Sequence, residues 1–423
     1  MNTTLPLIAE FRPQAVLVWR GTQPVTQGQF VAQALALAER LPASRYALNL
    51  CEDRYRFMLA FCAAGLRGQT NLLPHSTAGG VIESLKQRYP EHHVLDDAAV
   101  SPANGVSTDA VPSIPAEQIA AVVMTSGSTG TPSFHSKSWR VLAETAQLSR
   151  PAFLPDPAPA HIVATVPPQH MFGLETSVFY ALAANCSVHH ARPFFPADIR
   201  DALAAIPEPR ALVTTPIHLR ALLQAAISLP PLKMIISATA PLSLELARDA
   251  EQCFGAPVRE IYGCTEAGSL ATRQVSVSAQ WQLHPDMCIR ANGAAAVITG
   301  KHLPEPIHID DEIAIDDERH FHLLGRNADL LKVAGKRASL ADLTQKLLAI
   351  QGVEDAVVFV PQGHERPAAL VVAGQLSESQ ILSALAIQVD AVFLPRPLRR
   401  VARLPRNAIG KLPRAELMEL LGS

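Results

Sequence analysis

Several common signatures are absent from this chain, and each absence narrows its function. Its six cysteines, Cys51, Cys62, Cys186, Cys253, Cys264 and Cys288, are scattered and form no CxxC pair. That pattern excludes a zinc ribbon or a disulfide framework and fits reduced, mostly buried thiols. The 15 histidines contain no HExxH. The adjacent pairs His92-His93 and His189-His190 make poor metal clamps, because neighbours on a strand face opposite ways. No apolar run is long enough to span a bilayer. Met1-Asn2-Thr3-Thr4-Leu5-Pro6 lacks a basic segment followed by an apolar stretch, which argues against export and for a cytoplasmic protein. Nor is there an excess of one charge. The net value is −2 and 17% of residues are charged, so neither nucleic acid nor an anionic membrane is expected as a main partner. A Walker A loop is missing too, since no Gly-Lys-Ser/Thr follows a spaced glycine.

What is present is a 423-residue, 48% hydrophobic chain, long enough for two or three domains with a sizeable core. Up to about residue 100, apolar runs near 15–19, 46–50 and 93–95 alternate with helical spacing near 29–40 and 54–66. Residues 101–116 read as a linker. The alternation resumes with strand-like 161–166, a helix-like stretch from Phe172 to Ala184, and strands at 212–214, 234–236 and 258–261. Helices near 216–227 and 243–254 separate those strands. Strands alternating with helices predict α/β, doubly wound sheets whose ligands gather at the strands' carboxyl ends. From about 280 to 324, short runs predict a small antiparallel β unit. A compact α+β piece follows from 327, with helices near 340–350 and 377–392 and strands at 356–360 and 369–372. The expected domains are therefore 1–326 and 327–423.

Four segments can carry chemistry. The first is Thr125-Ser126-Gly127-Ser128-Thr129-Gly130, directly after the apolar run Ile119–Met124. Glycine and hydroxyl residues can wrap a phosphate chain, although a flexible surface loop has the same composition. The second is Tyr262-Gly263-Cys264-Thr265-Glu266 at a strand's end. Glu266 can hold Mg²⁺ on a triphosphate and Tyr262 can stack on a base; an ordinary strand exit is the plain alternative. The third is Asp310-Asp311-Glu312 with Gly325-Arg326, either a solvated turn or a carboxylate that takes both ribose hydroxyls. The fourth is Leu404–Leu412, either a basic surface loop or a loop delivering Lys411 to developing negative charge.

Taken together and in this order, the four segments resemble the adenylate-forming superfamily of acyl-CoA synthetases, nonribosomal-peptide adenylation domains and luciferases. The likeness runs from about residue 15 to the end. It implies that residues 125–130 are the phosphate loop and that Tyr262–Glu266 is the Tyr-Gly-x-Thr-Glu motif. Ala238, Thr239 and Ala240, within Ser237–Leu242, would flank adenine and the acyl pocket. Asp311 would hold ribose, with Arg326 assisting, and Lys411 would be the catalytic lysine. His170 would gate the acyl pocket, which His170, Phe172, Thr215, His218, Ala238, Thr239 and Gly263 would line. Gly335, within 331–337, would let a pantetheine arm pass. ATP, Mg²⁺ held by Glu266, and coenzyme A or phosphopantetheine are the implied cofactors.

The implied reaction makes an acyl-adenylate and pyrophosphate from ATP and a carboxylic acid, then a thioester with a thiol, after rotation of the small C-terminal domain. The pocket candidates are mainly apolar, which points to an aryl or fatty acid rather than an amino acid. The expected acceptor thiol is coenzyme A or the phosphopantetheine of an acyl carrier protein. Lys336, Arg337, Arg399, Arg400, Arg403 and Arg406 form a basic set suited to either acceptor, or simply a solvated face.

The chain departs from the family pattern in four places. Pro132 is followed by Ser133-Phe134-His135-Ser136-Lys137 where the family has Pro-Lys-Gly, leaving open whether Lys137 takes over the missing lysine's role. Ile309-Asp310-Asp311 stands for Thr-Gly-Asp, and Ala328 stands at the hinge. The N-terminal part is short. These traits are similar to compact ligases of bacterial aryl-polyene or xanthomonadin-type pigment pathways, from which an aromatic acid is the expectation. The missing lysine and altered hinge also motivate a rival, a nucleotide-binding pseudoenzyme of the same fold. A P-loop NTPase and an ATP-independent scaffold are further rivals from other classes.

Overall fold

The computed structural model describes residues 3–102, 105–125, 132–292, 295–309, 311–326, 330–333, 336–361, 364, 366–406, 410 and 412–422. The side chains of 325, 326, 330–333, 336 and 337 are not among those described. Two compact units form: Met1–Cys288 with Thr299–Ile307, and Ile289–Ile298 with His308–Ser423. The boundary expected at 326/327 thus falls inside the second unit. The short strands expected between 280 and 324 are present, and the unit boundary runs through them.

In the first unit, a five-stranded sheet has the order His92–Leu95, Tyr46–Asn49, Thr70–Leu73, Ile119–Thr125, Ser133–Ser138. The first four strands are parallel and the last runs antiparallel. A second sheet runs Val258–Cys264, Met234–Ser237, Arg210–Thr214, Ala160–Ala164, Cys186–His189, Val16–Arg20 in parallel. Antiparallel Gly268–Arg273 and Gln23–Thr26 flank it. Parallel strands need crossovers, and the sequence supplies them as helices with buried apolar faces. Gln27–Arg40 begins at a capping box between Thr26 and Gln29, and Leu244–Phe254 ends at left-handed Gly255. Phe61, Trp139 and Phe179 pack ring to ring at 5.3–6.1 Å and join three segments of the core.

Three sequence expectations change. The linker 101–116 contributes a strand, Ser113–Pro115, which pairs with Thr4–Pro6. The helix expected over Phe172–Ala184 is broken into a short α-turn, Met171–Gly173, a π-turn, Leu174–Phe179, and Tyr180–Ala183. The strand before Glu266 does not stop at Ile261 but carries Tyr262 and Gly263 to Cys264, paired with Gly268–Arg273. The backbone can continue because Gly263 lets the two strands come very close.

The second unit contains two hairpins, Asp311–Ile315 with His320–Arg326 and Leu330–Val333 with Lys336–Ser339. It also has a sheet of Val353–Phe359, Ala368–Ala373 and Leu398–Arg400. Leu343, Leu347, Val371, Ile381 and Leu385 form its core under helices Leu340–Leu348 and Glu378–Ala386. The terminal helix Arg414–Gly422 covers the sheet's other side through Leu417 and Leu370. No helix among the described residues is long and apolar enough to cross a membrane.

Candidate active site

The glycine loop at 126–130, Gly335, Ala328 and Lys411 lie outside the described residues. The flanks of the loop are described. The strand Ile119–Thr125 enters it and the antiparallel Ser133–Ser138 leaves it, with Thr125 opposite Ser133 and their hydroxyls 2.6 Å apart.

Alternation along Ser133–Ser138 sorts its side chains. Phe134 turns to Tyr89 and lies beneath the Arg88 guanidinium, 4.2 Å from the ring centroid. On the opposite face stand Ser133, His135 and Lys137. His135 Nε2 lies 3.1 Å from Ser133 Oγ and 3.5 Å from Glu266 Oε1. Lys137 is 3% exposed, and its Nζ donates to the main-chain carbonyl of Glu266. Burial lowers the Lys137 ammonium to about 8, against the pull of Cys264, Glu266 and Glu175. The Glu266 carboxylate is about half-exposed and is held below its usual range, despite partial burial, by backbone hydrogen bonding, His135, Cys264 and Lys137. The Cys264 thiol is pushed up to about 11 by burial and by Glu266.

These residues fit a divalent ion shared with a phosphate chain. Glu266 is ionised and reaches solvent, and no cluster of three or more His, Cys, Asp or Glu metal donors occurs among the described residues. A Mg²⁺ taken by one carboxylate keeps water and phosphate oxygens as its other ligands.

At neighbouring strand ends, the segment after Ser237 holds Ala238, Thr239 and Ala240. Thr239 has φ 79°, a left-handed conformation costly for a β-branched residue. Buried Glu260 pins the exit of this segment, accepting from Leu242 N at 3.0 Å and pairing with Arg273 at 2.7 Å. Tyr262 is buried with its ring 5.6 Å from that of Trp281.

Thr215 and His218 come together after Arg210–Thr214, with Oγ1 and Nδ1 2.9 Å apart. Burial, with the Arg192 charge, lowers His218 to about 4 and keeps it neutral. Its ring meets Phe194 edge-on at 5.4 Å, and its buried Nε2 has no hydrogen-bond partner. His170 caps the short helix that carries Phe172. Gly173 sits so close to Pro167 that a Cβ would lie 2.0 Å from the Pro167 oxygen.

In the second unit, Asp311 and Arg326 are direct register partners across their hairpin. The Lys411 motif is anchored by Arg406, which forks onto Asp355 at 2.6 and 2.7 Å and donates to Gly410 O at 2.7 Å. Arg400 donates to the carbonyls of Ala373 and Gly374. Two members of the expected basic set are therefore engaged within the fold.

Sequence reading missed three residues. Glu175 is fully buried in the π-turn, accepting from Ser149 Oγ at 2.7 Å and from Ser269 N at 2.9 Å. Burial raises its carboxyl to about 7. A lone acid inside the apolar run 171–180 was its signal. His135 had no signal of its own in the sequence; it shares a face with Ser133 and Lys137 only once 133–138 pairs as a strand. Buried Arg54 donates to the carbonyls of Ala164 and Val166 and holds the segment leading to His170; only the tertiary structure shows this.

Residues 18–301 match the AMP-binding enzyme family. The chain belongs to that family. It is an adenylate-forming ligase by membership, as its motifs imply. The 4-coumarate–CoA ligase of Halorhodospira halophila is 29% identical over 299 residues, which cover 68% of this chain and 73% of that protein. A 3,4-dihydroxybenzoate–[aryl-carrier protein] ligase of Bacillus anthracis is 26% identical over 177 residues, 38% of this chain and 40% of its own. In fold, the chain is similar to o-succinylbenzoate CoA synthetase of Bacillus subtilis solved with its acyl-adenylate. The TM-score is 0.80 at 18% identity, covering 98% of each chain. The same enzyme has been solved with ATP and magnesium, with TM-score 0.79 at 18% identity, covering 98% of this chain and 100% of that one.

Proposed function

We propose that this ligase activates an aryl acid with ATP and transfers the acyl group to a phosphopantetheine thiol. In the first half-reaction, a carboxylate oxygen attacks the α-phosphorus. The acyl-adenylate forms and pyrophosphate leaves. In the second, a thiol sulfur attacks the activated carbonyl, AMP leaves, and the thiol proton goes to solvent. The observation that carries this reading is the ionised, solvent-reaching Glu266 beside His135 and Lys137, on the strand that leaves the glycine loop.

Both reactants of the first step are anionic, so charge neutralisation and alignment dominate the barrier. Lys411 would bridge carboxylate and α-phosphate. Backbone N–H groups of 126–130 would hold the outer phosphates. Tyr262 and the Ala238–Ala240 segment would border the base, and Asp311 with Arg326 would fix ribose. Mg²⁺ on Glu266 would offset phosphate charge. His170 would gate the passage between acid and thiol, and Gly335 would leave room for the pantetheine arm. The 327–423 piece would turn between the two steps, with Ala328 at its hinge.

Support for an aryl acid comes from the relatives, which act on 4-coumarate and 3,4-dihydroxybenzoate. It also comes from His218, whose neutral ring offers an unpartnered Nε2 next to Phe194. A ring hydroxyl or amino substituent would satisfy that nitrogen. The same relatives divide between CoA and a carrier protein, so both acceptors belong in the test.

Carboxylate-dependent ATP–pyrophosphate exchange tests the reading with aryl, cinnamyl-type, fatty and amino acids. Exchange with aryl acids that disappears in Lys411→Ala is the expected result. Exchange with fatty acids alone would overturn the aryl assignment. Folded protein inactive with every acid would favour the pseudoenzyme. CoA and carrier proteins are then compared by intact mass of the thioester product.

A further inference from the structure

Where its family carries a lysine directly after the phosphate loop, this chain has Ser133, and a lysine appears four residues later. Because 133 and 137 differ by an even number, the two positions share one face of the strand. At about 3.3 Å per residue, the amine is displaced roughly 13 Å along the strand from the usual position. That displacement takes it away from the loop and beneath Glu266.

The surroundings of Lys137 are those of a support, not of a ligand hand. The side chain is 3% exposed and its ammonium already donates to the Glu266 main-chain carbonyl. The buried Glu175 acts electrostatically on that ammonium, and its Oε2 accepts from the N–H of Ser269, three residues after Glu266. Gly268 is pressed against the same carboxylate, where a Cβ would lie 3.1 Å from Oε2. Thus Lys137 grips the Glu266 end of the turn and Glu175 grips its far end. His135, on the same strand face, meets the Glu266 carboxylate itself.

We propose that Lys137 is a positioning residue that sets the metal-holding carboxylate of Glu266 through its main-chain carbonyl, with Glu175 securing the other end of the turn, and that it does not contact the phosphates. This rests on the reading that Glu266 holds Mg²⁺.

The test is calorimetric binding of ATP with and without Mg²⁺, and of AMP, with no acid present, so turnover plays no part. Lys137→Met is expected to reduce the Mg²⁺-dependent gain in ATP affinity about tenfold, the loss appropriate to one charge-assisted hydrogen bond. Binding of AMP, and of ATP without Mg²⁺, should stay within about twofold. Lys137→Arg, which keeps the donor, should restore part of the gain. Lys137→Met combined with Glu266→Gln should be no worse than Glu266→Gln alone, because both act on one element. If Lys137→Met does not fold, Lys137→Gln carries the same comparison. An equal loss of ATP affinity with and without Mg²⁺ would place Lys137 on the phosphates and overturn the proposal, and so would an unchanged Mg²⁺ gain. A wild-type protein showing no Mg²⁺-dependent ATP binding would instead overturn the reading of Glu266 on which the proposal stands.

Discussion

At Gly263, an added Cβ would lie 2.2 Å from the carbonyl oxygen of Gly268, inside the turn that carries Glu266. Gly263→Ala must therefore push two paired strands apart. It is expected to cost about 1–3 kcal/mol, read as a lowered midpoint in urea unfolding. Glu175 makes a pH prediction. Its carboxyl is raised by burial to about 7 from 4.5, so the folded protein holds a proton there that the unfolded chain has released. Its contribution to stability is full below about pH 4.5 and is lost as the pH rises through about 7. The loss amounts to roughly 3 kcal/mol. Melting temperature measured between pH 5 and 8 should therefore fall less steeply for Glu175→Gln than for wild type. His218→Leu removes the free Nε2, and should weaken turnover of acids with a polar ring substituent about tenfold while sparing benzoate. The exchange assay reads both. Of these three residues, Gly263 was legible in the sequence because its motif contains it, and His218 was named only as a candidate for the acyl pocket. Glu175 was not, because its partners Ser149 and Ser269 are 26 and 94 residues away.

Among elements, the C-terminal loop shows a member of the expected basic face tied into the fold. Arg406 looked like part of a basic face, yet it forks onto Asp355 from the strand Val353–Phe359 and holds the Gly410 carbonyl, one residue before Lys411. Arg406→Ala should therefore slow adenylation about tenfold with Lys411 intact. Single-turnover formation of the adenylate checks this, with an unaltered melting temperature excluding loss of fold. The strand Ser133–Ser138 is a second case. Its composition, Ser-Phe-His-Ser-Lys-Ser, gave no strand signal, because only Phe134 is apolar. It is a strand because Ile119–Thr125 offers it an antiparallel edge. Its period of two then delivers His135 and Lys137 to Glu266. The π-turn at Leu174–Phe179 is likewise invisible to helical periodicity. It holds Glu175, which reaches the backbone of Gly268–Arg273 from the element that follows His170.

For the molecule as a whole, ATP with Mg²⁺ should stabilise the native state by mass action, by about 2.7 kcal/mol at a hundredfold excess over Kd. A thermal shift that requires the metal checks this. It would also count against a scaffold with no use for nucleotide.

The sequence by itself determined the α/β class, the positions of most strands and helices, and the family, because alternating apolar runs and four spaced motifs are local properties of the chain. The tertiary structure alone decided where the side chains of the Ser133–Lys137 departure go. Phe134 is accommodated by Tyr89 and Arg88, and Lys137 finds the carbonyl of a residue 129 positions away. A buried charge takes its meaning from the groups that surround it in space, and those groups are joined only when the sheets assemble.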